Sequence, residues 1–140
     1  MKCTRFVVAF TGISLCLAAG ARASDVKVIA NTSVKASEIS VDELKAIFLV
    51  VHTSFNGSAV VPVLARSGPA HDAFLREYLG KTDTALATYF RGLVFAGKAS
   101  APRTYDSDAA IIAYIAKTKG AIGYVGTNAF APGTKTLEVK

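Results

Sequence analysis

The spacing of hydrophobic and polar positions changes period several times along the chain. Asp25 to Asn31 (DVKVIAN) alternates polar and apolar residues, which predicts a first strand. Val41, Leu44, Ile47 and Phe48 recur at helical spacing and predict a short helix. Ser40 and Glu43 stand at its start as a capping box: the serine accepts from the third residue's N–H and the glutamate reaches back. His52 to Ser58 reads as a loop, with Asn56-Gly57 as a turn signal. Val60 to Ala65 is a β-branched apolar run, the pattern of a buried strand. Ser67-Gly68-Pro69 follows at once. Proline suits a first helical position, and Ser67 is expected to cap the helix. In that helix Ala70, Phe74, Leu75, Tyr78 and Leu79 share one side, while His71, Asp72, Arg76 and Glu77 are placed toward water.

Gly80 is expected to end this helix. The next begins at Asp83 or Thr84 and carries an apolar face of Leu86, Tyr89, Phe90, Leu93 and Val94. Gly97 to Arg103 (GKASAPR) reads as a basic loop. Ser107 caps a further helix with Ala110, Ile111, Tyr114 and Ile115 turned inward, closed by Thr118-Lys119-Gly120. Ala121 to Val125 is a buried strand, and Thr136 to Val139 a last strand at the sheet edge. Alternation of this kind indicates a layered α/β domain with a largely parallel or mixed sheet.

The N-terminal residues follow a different logic. Lys2 and Arg5 precede an apolar run from Phe6 to Ala19, and Ala21-Arg22-Ala23 has the small-x-small form of a cleavage site. Residues 1–23 are therefore expected to be a signal peptide, with a mature chain from Ser24; an uncleaved N-terminal anchor is the alternative. This segment changes two readings. Cys3 and Cys16 both fall within it, so the mature chain has no thiol for a disulfide, a nucleophile or a metal. The formal charge of +6 falls to +3 once Lys2, Arg5 and Arg22 are removed. Such mild basicity suits small anions and does not argue for nucleic acid. Residues 24–140 form one domain, able to bury roughly 65% of its unfolded surface.

The candidate chemistry lies at the turn after the second apolar strand. A helix start leaves N–H groups without intrahelical partners, and Arg66 stands just before them. Free N–H groups, a helix dipole and a guanidinium together suit an oxyanion. An ordinary capped helix with an exposed arginine is the plainer alternative. His71 lies one turn from Ser67, but no G-x-S-x-G elbow and no orienting acid accompany the pair, so catalysis is not expected. His52 and His71 lack the spacing of a metal site. Arg91, Lys98 and Arg103 fit a solvated basic loop. Tyr89, Phe90, Phe95, Tyr105 and Tyr114 fall mostly on core faces and are not placed as base-stacking platforms.

Three segments carry a resemblance. They are Ser40 to Leu49 (SVDELKAIFL), Val61 to Leu79 with its P-V-x-x-R-S-G run, and Ser107 to Val125, which ends in KTKGAIGYV. In this order and spacing they resemble the phosphate-binding solute receptors of bacterial ABC uptake systems. The resemblance implies a single lobe of a type II periplasmic-binding-protein-like fold, with a mixed, mainly parallel sheet flanked by helices. It implies a non-catalytic, cofactor-free periplasmic protein. Arg66 would be the guanidinium ligand of phosphate or a related oxyanion, with Ser67 and Gly68 giving hydroxyl and backbone donors. The chain departs from the family in three ways. It is too short for the two lobes between which family members clamp the ligand. Phe55 stands where a tryptophan is often found, and Val50 replaces a glycine. Pro69 replaces the threonine of Ser-Gly-Thr and removes a hydroxyl and an N–H donor. A second reading is therefore kept: a periplasmic protein-interaction module that reuses the lobe without ligand, docking on a membrane sensor or transporter, or pairing with itself.

Overall fold

The computed structural model of the chain describes residues 25–140, so the expected signal peptide lies outside the described residues. The strands are β1 (Val26–Asn31), β2 (Glu38–Ile39), β3 (Ser54–Phe55), β4 (Ser58–Ala59), β5 (Val61–Ala65), β6 (Arg103–Tyr105), β7 (Ala121–Gly126) and β8 (Thr134–Val139). The helices are α1 (Val41–Phe48), α2 (Pro69–Phe74), α3 (Asp83–Phe95) and α4 (Asp108–Lys117). The helix of α2 continues as a π-helical turn over Leu75–Leu79 and ends at Gly80 in the left-handed conformation. Among the described residues, no helix is long and apolar enough to cross a membrane.

Six strands form the main sheet, in the order β2-β8-β1-β7-β5-β6. The pairs β2/β8, β5/β7 and β5/β6 are parallel, and β1 runs antiparallel to both β7 and β8. The sheet is thus mixed and mainly parallel, as expected. β8 is not an edge strand, however: the two-residue strand β2 covers its outer flank through Glu38↔Glu138 and Ile39↔Val139. Two residues are too few to show alternation in a sequence. The same holds for β3 and β4, a hairpin whose tight turn is Asn56-Gly57, both with positive φ. The stretch read as a basic loop ends in a fourth unanticipated strand, β6, which extends the sheet beside β5.

Both faces of β7 are covered, which explains why it reads as a continuous apolar run. On one face α4 packs against Gly123, where any Cβ would come within 2.8 Å of the Ile115 side chain. On the other, Phe74 stacks on Tyr124 with ring centroids 3.9 Å apart, and Phe48 of α1 meets both rings. Phe48, Phe74, Ile111, Ile115, Ile122 and Tyr124 are fully buried there. Ser40 and Ser107 cap their helices as expected, and Thr82 caps α3: each accepts from the N–H three residues on. Only half of the expected capping box forms at α1, because the Glu43 carboxylate turns to Nδ1 of His52 at 3.1 Å.

Candidate functional site

The parallel strands β5, β6 and β7 end at one rim of the sheet, and α2 and α4 start there. Because β1 is reversed, its first residues reach the same rim: Thr127 N–H donates to the Asp25 carbonyl at 3.3 Å. In open α/β sheets the crevice outside the carboxyl ends of the strands is where ligands bind. Here it is a cavity of about 400 Å3. Ser67, Gly68 and Ala70 line one side, Asp106, Ser107 and Asp108 another, and Asp25 and Gly126 close it below.

The turn itself is built on Gly68. This residue, not Ser67, is the N-cap of α2, and no side chain caps the helix. Its φ of 115° and ψ of 173° lie where only glycine is comfortable. Pro69 occupies the first helical position, and the first intrahelical bond runs from Asp72 N–H to Gly68 carbonyl at 3.0 Å. The N–H groups of Ala70 and His71 precede that bond and have no place in the helical ladder. The sequence misplaced the cap by one residue because serine is the stronger capping type, whereas the backbone conformation here strains any residue with a Cβ.

Ser67 and Gly68 thus face the cavity. Arg66 does not line it. Its guanidinium is paired with Oδ1 of Asp106 at 3.0 Å, both side chains being mostly exposed (63% and 74%). The pair links the ends of β5 and β6, alongside the bond from Arg66 N–H to the Tyr105 carbonyl at 2.9 Å. Around the cavity mouth stand the carboxylates of Asp25, Asp106 and Asp108, and Asp108 Oδ2 accepts from Gly126 N–H at 3.1 Å. The rim is therefore richer in acid than a turn read in isolation implies. Among the described residues, no group of three or more His, Cys, Asp or Glu side chains is arranged to hold a metal ion.

His71 is where sequence reasoning failed most clearly. It was placed toward water and is 3% exposed. Nδ1 lies 2.5 Å from the Tyr124 hydroxyl, and Nε2 lies 3.0 Å from Oδ1 of Asp83. The Tyr124 hydroxyl also accepts the Ala65 N–H at 3.0 Å. The pattern assigns a proton to each bond: Tyr124 donates to Nδ1, and Nε2–H donates to Asp83. Burial, the main cause, pushes the Tyr124 hydroxyl pKa far above its ordinary value, which keeps it a donor. With both ring nitrogens engaged in this way, His71 is turned from Ser67 and serves it as no base. The chain of bonds instead fixes Ala65, the residue that leads into the turn. No local motif announces it, since Tyr124 is 53 residues away in sequence.

The other expected candidates are dispersed. His52 is exposed beside Glu43. Phe90 is buried, and Tyr89, Tyr105 and Tyr114 are half-buried against the core, but Phe95 is 94% exposed and is no core residue. A second cavity, of about 640 Å3, is a shallow mixed-charge groove at the start of α1, lined by Lys35, Glu38, Glu43 and Lys140. It holds none of the turn residues.

No protein-family model matches the chain, and no curated protein matches it in sequence. Solved structures do match its fold. One, from Clostridium perfringens, is described as a phosphate ABC transporter substrate-binding protein with bound phosphate; the TM-score is 0.64 at 16% identity, over 82% of this chain and 44% of that one. An ABC-type phosphate transport receptor from Vibrio cholerae gives a TM-score of 0.62 at 12% identity, over 82% and 46%. PstS from Borrelia burgdorferi gives 0.60 at 16% identity, over 83% and 47%. The fold is that of a lobe of these receptors, and the chain spans under half the length of each.

Proposed function

We propose that the chain is a non-catalytic, solute-binding-like domain that takes phosphate or a related oxyanion at the Arg66–Gly68 turn. The observation that carries this reading is the Gly68 turn itself. It leaves the Ala70 and His71 N–H groups outside the helical ladder and sets Ser67, Gly68 and Ala70 beside a ligand-sized cavity at the carboxyl ends of parallel strands. Arg66 supplies the positive charge once it turns from Asp106. The likeness to phosphate receptors in fold supports the same class of ligand.

The acidic rim narrows the choice. A carboxylate next to the ligand accepts a hydrogen bond only from a ligand that still carries a proton. Phosphate does so near neutral pH and sulfate does not, so phosphate is the favoured oxyanion. The cavity is open to solvent, where charge contacts are screened, and binding by this domain alone is weak. Residues 1–23 act as a cleaved signal peptide, the domain of residues 24–140 works in the periplasm, and a membrane transporter or sensor is its partner.

The test is thermal denaturation with phosphate, sulfate and phosphonates. Phosphate raises the melting temperature, sulfate raises it less, and Arg66→Ala removes the shift. Flat titrations with all three overturn the reading.

One observation favours a second reading, an interaction module without ligand that docks on a membrane protein or pairs with itself. Phe130, on the loop that leaves the cavity-lining end of β7, is 85% exposed. Light scattering after size exclusion decides self-pairing; a monomer at all concentrations with an intact phosphate response rules this reading out.

A further inference from the structure

Residues 84–105 carry Arg91, Lys98 and Arg103 and not one aspartate or glutamate. Most of this stretch is α3, which has two unlike faces. Leu86 and Phe90 are buried, with Tyr89 and Leu93 half-buried beside them. On the other face Thr84, Ala87, Thr88, Arg91, Val94 and Phe95 succeed one another at three- and four-residue steps, all exposed. The apolar content of that face rises toward its end, where Val94 is 52% and Phe95 94% exposed.

The end of the helix brings a second cation to the same place. Gly97 takes a positive φ, and Lys98 N–H returns to the Leu93 carbonyl at 3.0 Å. Val94 and Phe95 thus lie between Arg91, one turn before, and Lys98, just after. Among the described residues neither cation is paired with a carboxylate. Arg103 follows on β6, over the ring of Tyr114.

We propose that this end of α3 docks on a bilayer containing anionic phospholipid. An exposed aromatic ring flanked by unpaired cations fits such a surface: the ring enters the headgroup–acyl boundary and the cations meet lipid phosphates. A second copy of the chain is a poorer occupant, since it would set like charges against each other. The orientation leaves the cavity free. α3 is about 20 Å long by its 1.5 Å rise per residue, and its opposite end, Asp83, is hydrogen-bonded to His71 behind the Gly68 turn.

The chain has no tryptophan, so one placed here reports on this site alone, whatever the N-terminal segment does. Phe95→Trp in the full chain is mixed with vesicles of equal parts phosphatidylcholine and phosphatidylglycerol. Its emission shifts to the blue and is quenched by brominated acyl chains. Pure phosphatidylcholine vesicles give no shift, and adding Arg91→Glu and Lys98→Glu abolishes it. Phe130→Trp, the control on a different loop, does not shift. Unchanged emission of Phe95→Trp overturns the proposal. So does a shift that is equal on uncharged vesicles, or one that appears without vesicles as protein concentration rises, which marks self-association instead.

Discussion

The hydroxyl of Tyr124 meets the imidazole of His71 at 2.5 Å inside the core, and the same oxygen holds the Ala65 N–H at 3.0 Å. One atom of β7 therefore fixes both the last residue of β5 and the first turn of α2, the two elements that frame the Arg66–Gly68 turn. Tyr124→Phe keeps the ring and its stacking on Phe74 but strands two buried polar groups. Each stranded group costs about 1–3 kcal/mol. Urea denaturation is expected to show a loss of about 2–4 kcal/mol, and a loss below about 1 kcal/mol would mean that water replaces the hydroxyl.

The same residue sets a dependence on pH. Burial raises its hydroxyl pKa above the ordinary value of 10.0. The folded state then holds this proton where the unfolded state has lost it, so stability is full below pH of about 10 and falls as pH rises beyond it. The slope expected from one such group is about 1.4 kcal/mol per pH unit. The measurement is the difference between the parent and Tyr124→Phe, whose alkaline slope should be shallower.

Gly68→Ala tests the turn. A Cβ there meets nothing within 4 Å, so the whole penalty comes from the backbone at φ 115°. That strain is about 1–3 kcal/mol. Relief of the strain would redirect the Ala70 and His71 N–H groups. The expected outcome is a moderate loss of stability together with loss of the phosphate-induced thermal shift. A variant that loses stability but keeps the full shift would place the ligand elsewhere.

Asp106→Asn should separate binding from stability. The ion pair with Arg66 is mostly exposed, so its loss changes stability by no more than about 1 kcal/mol. Freeing Arg66 and removing one carboxylate from the rim should tighten phosphate binding by about fivefold, equivalent to roughly 1 kcal/mol. Isothermal titration would measure it. Weaker binding in the variant would identify Asp106 as an acceptor for a ligand proton.

Long periodic segments were legible in the sequence. β1, β5, β7 and the four helices were placed from apolar spacing, and Ser40, Ser107 and Gly80 mark helix ends that the structure keeps. What escaped was carried by partners. Strands β2 and β6 are short and polar enough that only pairing with β8 and β5 makes them strands. His71 has the spacing of a surface residue, and only a hydroxyl from β7 and a carboxylate from α3 make its burial tolerable. Phe95 has the composition of a core residue, yet its place on the outer face of α3 leaves it bare. Arg66 was legible as a charge at the turn, but its partner Asp106 sits on the far side of α3 in sequence.

The reversed strand β1 has a consequence for how the chain folds. Its neighbours are β7 and β8, so Val28 must find Tyr124 on one side and Leu137 on the other. The middle of the sheet is closed by partners drawn from opposite ends of the described chain, and no local hairpin can begin it. Such non-local pairing makes folding slow. Until the last strands arrive, β1 stands with both flanks open, a template for other chains. The first strand of the described residues is thus among the last to be secured, and a chaperone that shields it in the interval would raise the yield of folded protein.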